Sequence, residues 1–141
     1  MNATHQLAEF LVVAWRLGAS SDRIPTSHGI LDRALKKLQE AGDLPDWTSE
    51  RLHFIDSRVG LQCVELPDIL EWAQRAQLTT APNPSYESTQ VQISQWLAEE
   101  MVADLDMQME NIQEVGKRLE DAVNQAKSEL ENFEFTQIEE Y

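Results

Sequence analysis

A chain of 141 residues with 42% hydrophobic composition can bury one ordinary core without metals or disulfides. Its single cysteine, Cys63, excludes an intrachain disulfide and a multi-cysteine metal site, and fits a reducing, cytoplasmic setting. A net charge of −14 argues against general affinity for nucleic acid or anionic membranes, and no apolar run approaches the ~20 residues of a membrane span.

From Thr4 to Leu17 the spacing of Leu7, Phe10, Leu11, Ala14 and Trp15 predicts a helix with one buried stripe, closed by Gly18 as a left-handed cap. His5 and Glu9 interrupt this segment and no basic stretch precedes it, so it does not read as a signal peptide. Residues 19–27 read as a loop ending on an N-cap at Thr26 or Ser27. A second helix follows, with Ile30, Leu31, Ala34, Leu35 and Leu38 on one side and Asp32, Arg33, Lys36 and Lys37 on the other, ending at Ala41-Gly42. Trp47 to Arg51 fits either a helical turn or the approach to a strand. Between residues 52 and 66, Phe54, Ile55, Val59 and Val64 flank the polar Asp56-Ser57-Arg58 and Gly60, the pattern of a β-hairpin. Pro67 and Asp68 open a helix through Gln77.

Residues 79–88, TTAPNPSYES, read as a Pro-rich linker closing a small helical domain over 1–78. Acids then accumulate: Met1 to Tyr86 holds 11 acids and 8 bases, whereas Glu87 to Tyr141 holds 14 acids and 3 bases. From 89 to 132 there is no proline and a single glycine, Gly116, which predicts a long acidic amphipathic helix or, broken at Gly116, a helical hairpin. A heptad register places Val91, Ala98, Leu105, Ile112, Leu119, Ala126 and Phe133 at one core position, with Met101, Val115 and Ala122 at the other, where Ser94, Gln108 and Glu129 do not fit. Val102, Met109, Val123 and Leu130 form the neighbouring column. A helix of roughly forty residues would span about 60 Å, more than the preceding domain can cover. A second copy of the chain, a dimer paired as a coiled coil or bundle, is therefore the expected cover, with Met101, Leu105, Ile112, Val115, Leu119 and Val123 as its association residues.

His5, His28 and His53 have no metal-ligand spacing, and Cys63 with His53 and Asp56 reads as a hairpin strand rather than a nucleophile. The acids Glu99-Glu100, Asp104, Asp106, Glu110 and Glu114 resemble loosely the acidic signature of all-helical nucleotide pyrophosphohydrolases. However, Ala103 stands where that family has its third glutamate, and no Glu-x-x-Asp follows. With no glycine-rich phosphate loop and no EF-hand loop, neither a cofactor nor a catalytic residue is expected.

The stretch from Ser27 to Glu65 resembles the recognition helix and wing of winged-helix regulators. That resemblance implies a dimeric DNA-binding regulator with Arg33, Lys36, Lys37 and Arg58 at the nucleic acid. Against it, the space between Leu17 and Gly29 leaves hardly any room for the motif's intermediate helix. The tail, 133–141, combines acids with Phe133, Phe135 and Tyr141, which suit docking into a basic-rimmed groove. The reading is a mainly α, non-enzymatic interaction or adaptor protein that self-associates and favours basic partners. A DNA-binding regulator and an acidic nucleic-acid mimic are the alternatives.

Overall fold

Helix α1 (Ala3–Gly18) contains an almost unbroken buried run, Leu7, Ala8 and Phe10 to Trp15. A helix that is apolar around its whole circumference has to lie inside the molecule, and α1 does. This corrects the single stripe expected from its spacing. In the computed structural model, which describes residues 3–58, 60–80 and 88–139, with side chains described as far as Asn132, α1 is packed on by α6, α4 and α5.

The chain leaves α1 through Ser20 and Ser21 into strand β1 (Arg23–Pro25) and then helix α2 (Ile30–Ala41). No side chain caps α2. His28 (φ 59°) and Gly29 (φ 68°) instead turn the backbone through the left-handed region, so the expected Thr26 or Ser27 cap does not form. Gly42 (φ 74°) closes α2 as expected, with its N–H returned to the carbonyls of the last turn. The undecided stretch after Pro45 is a single helical turn, α3 (Asp46–Ser49). The hairpin then forms where the β-branched and aromatic residues suggested: β2 (Phe54–Ser57) pairs antiparallel with β3 (Gly60–Cys63), Phe54 opposite Cys63. It is tied to α2 by the Cys63 N–H, which donates to Asp32 Oδ2 at 2.7 Å.

Helix α4 (Leu66–Arg75) carries the proline in its first turn. Strand β4 (Ser88–Gln90) pairs antiparallel with β1, and on its other side Thr79 bridges Val91. Thus both described ends of the expected linker, Thr79-Thr80 and Ser88, are hydrogen-bonded into this ribbon; residues 81–87 lie outside the described residues.

The segment from 89, expected as a long helix or as a hairpin broken at Gly116, is a strand and two helices, α5 (Gln95–Asp104) and the long C-terminal α6 (Met109–Glu139). The break falls at Leu105–Gln108, where Asp106 takes φ 54°, a conformation aspartate tolerates better than most residues. It does not fall at Gly116, which lies within α6. A Cβ at Gly116 would stand 1.8 Å from the Ala14 carbonyl oxygen, and one at Gly18 would stand 2.2 Å from that of Gln113. The two glycines therefore permit backbone-to-backbone contact where α1 and α6 cross. Gly18 has no positive φ, so its small size rather than its conformational freedom is used.

Polar ties hold α6 across the domain. The Glu120 carboxylate accepts from the backbone N–H groups of Ser20 and Ser21 at 3.0 and 3.1 Å and from the Ser20 hydroxyl. Lys37 pairs with Glu129 at 2.7 Å, and Arg118 joins Glu114 to Asp43. Solvent screens such part-exposed pairs, so the fold rests mainly on the apolar crossing.

Candidate functional site

The residues read as an association stripe are core residues of the single chain. Leu105, Ile112, Val115, Leu119 and Val123 are buried, and Met101 is half-buried against the same core. Val115 and Leu119 share an apolar interior pocket with Leu7, Phe10, Leu11 and Leu35. Of the first heptad column, Val91, Ala98, Leu105, Ile112, Leu119 and Ala126 are buried and Phe133 lies outside the described side chains; of the second, Val115 and Ala122 are buried and Met101 half-buried. What covers that face is α1 and α2 of the same chain.

The basic residues on α2 and the hairpin do not form one exposed surface. Lys37 is engaged by Glu129; Lys36 pairs with Glu40 at 3.5 Å and lies 5.3 Å from the centre of the Phe54 ring. Arg33 is half-buried, and Arg58 stands exposed in the hairpin turn. The docking residues proposed in the tail, Phe133, Phe135 and Tyr141, lie outside the described side chains.

Around the hairpin, His53 and Cys63 both address Glu65. The His53 N–H and Nδ1 contact the two Glu65 carboxylate oxygens at 2.7 Å each. Cys63 is 2% exposed, and burial pushes its thiol up to about 11, so it is protonated at neutral pH.

The surface that stands out is α5. Ser94 caps it, its hydroxyl accepting from the Leu97 N–H at 3.1 Å, and the inward residues Ala98 and Val102 seat it on the core. With the helix fixed in that rotation, Trp96 and Leu97 face out, 67% and 38% exposed. Glu99, Glu100 and Asp104 are exposed around them, and α5 holds no basic residue. Among the described residues none of these three acids has an ion-pair partner; Glu99 accepts only from Gln95, at 3.3 Å. Asp104 also reaches back to α1. Burial first, and Asp104 second, push the Glu9 carboxyl above its ordinary value, with His5 opposing.

Trp96 belongs to neither core column of the sequence pattern. That was itself the signal: five residues after Val91, it occupies the register position opposite the seam, where an aromatic residue finds no packing partner. The chain matches no protein-family model, no curated protein and no solved structure.

Proposed function

We propose that the protein is a non-enzymatic interaction module that docks a basic segment of a partner protein on the outward face of α5. The observation carrying this reading is Trp96, two-thirds exposed within a ring of unpaired acids. Tryptophan is enriched among the few residues that dominate binding energy, and its ring face attracts a lysine or arginine head. Carboxylates around it add electrostatic steering toward a cationic partner. The interaction role expected from the sequence is kept, but it moves from the α6 stripe, whose apolar residues are used inside the chain, to α5.

The test is calorimetric titration of the full chain with a short arginine-rich peptide. Trp96→Ala is expected to weaken binding at least about tenfold, and Glu99→Gln with Glu100→Gln to weaken it further. Asp121→Asn, an acid on α6 away from this face, is the control for general attraction and should change little. A Trp96→Ala variant that binds like the parent chain, or that loses no more than Asp121→Asn does, would overturn the assignment.

A further inference from the structure

A second surface has the opposite electrostatic character. Between the β1–β4 ribbon and the C-terminal half of α6 lies a cleft of about 460 Å³, within the ~300–1,000 Å³ range of small-molecule sites. Arg23 stands on the ribbon wall and Lys127 on the α6 wall; His28 lies at the turn into α2. These three side chains are exposed and, among the described residues, have no acid partner, in contrast to Lys36, Lys37, Arg75 and Arg118. The Arg23 Nε donates to Ser88 Oγ at 3.1 Å, which orients the guanidinium and leaves its terminal N–H groups for a ligand. The hydroxyl of Ser27 and the uncapped N-terminus of α2 border the same space. The floor is apolar, formed by Pro25, Ile30 and Leu130.

We infer that this cleft binds a phosphate-bearing small molecule with an apolar body. A chain of net charge −14 repels anions in general, so two cations brought together from residues more than a hundred apart in sequence make a local reversal of sign. Arginine and lysine on facing walls suit a group with several acceptor oxygens and up to two charges, which arginine can contact through a fork of N–H donors. The apolar floor requires a body beyond the phosphate. One carboxylate, Glu131, also lines the cleft and opposes an anion; Glu120, at the neighbouring Ser20-Ser21 turn, is already held by backbone N–H groups. This site is separate from α5 and does not depend on the role given to Trp96.

The probe is phenyl phosphate, titrated into the full chain by amide NMR, with benzoate as the carboxylate of similar body. Saturable shifts at Ile30, Ser88 and Leu130 are expected with phenyl phosphate, and binding of benzoate about tenfold weaker. Arg23→Gln and Lys127→Gln should each weaken phenyl phosphate by about tenfold, while Glu131→Gln should tighten it. All three positions are exposed, so the variants should keep the parent unfolding temperature, measured alongside. Absence of saturable binding, equal binding of benzoate, or phenyl phosphate affinity unchanged in both Arg23→Gln and Lys127→Gln would overturn the assignment.

Discussion

Trp15 and Trp96 sit on helices that pack against each other, yet Trp15 is 1% exposed and Trp96 is 67% exposed. The difference lies in what surrounds each tryptophan on its helix. On α1, the run from Phe10 to Trp15 puts apolar residues on every side over more than a full turn, so that stretch lies in the interior and Trp15 with it. On α5, Ala98, Val102 and Leu105 define a narrow inward line, and that line fixes the rotation. A large apolar residue off that line is then left in water, where burying it would gain about 1.5–3 kcal/mol. The interior tryptophan is accounted for by folding; the outward one is not.

The contrast can be broken most severely at the glycine crossing. Gly116→Leu would drive a side chain into the α1 backbone at Ala14, and we expect a loss of about 3 kcal/mol or more, seen as a collapsed or absent cooperative transition in thermal circular dichroism. Next come the stripe residues. Ile112→Ala and Leu119→Ala should each cost about 2–5 kcal/mol in urea unfolding while leaving the light-scattering mass of the remaining folded protein unchanged. A fall in mass without a fall in stability would return these residues to an interface between chains.

Trp96→Ala sharpens the comparison from the other side. It should alter stability by no more than about 0.5 kcal/mol, because it removes an exposed side chain, and still weaken binding of the arginine-rich peptide at least about tenfold. The smallest effect belongs to the α1–α5 contact. The raised pKa of Glu9 means that the folded state holds its proton more firmly than the unfolded chain, whose ordinary value is 4.5. Its contribution is therefore most favourable below that value and is lost as pH rises through the raised folded value. Glu9→Gln should have a higher urea midpoint than the parent chain at neutral pH, with the gap closing in acid. A gap that widens in acid would reverse the sign.

Local pattern made much of this legible. Helix α2 with its Gly42 cap, the hairpin from Phe54 to Cys63 and the proline-led α4 follow from rules acting over a few residues. The long C-terminal apolar stripe was legible as well, down to the buried heptad columns. Its cover was not, because periodicity reports that a face must be buried and carries no information about what buries it. The break at Asp106 had no proline or glycine to announce it, whereas Gly116, which did invite a break, serves a close helix crossing. The β1–β4 ribbon was missed for a related reason: three-residue strands far apart in sequence are stabilised by each other and show no alternation of their own.

The same division holds for the candidate sites. Trp96 could have been singled out from its register, since it lies opposite the core seam, on the face that the seam leaves outward. The cleft between Arg23 and Lys127 had no such mark, as two ordinary basic residues acquire meaning only once a ribbon and a helix are set face to face. By itself, then, the sequence determined the mainly helical character, the acidity, the buried columns and the hairpin, all properties of local spacing and composition. The tertiary structure alone decided that α1 is the centre, that the chain covers its own stripe and where opposite charges gather, because those depend on contacts between segments that local physics leaves independent.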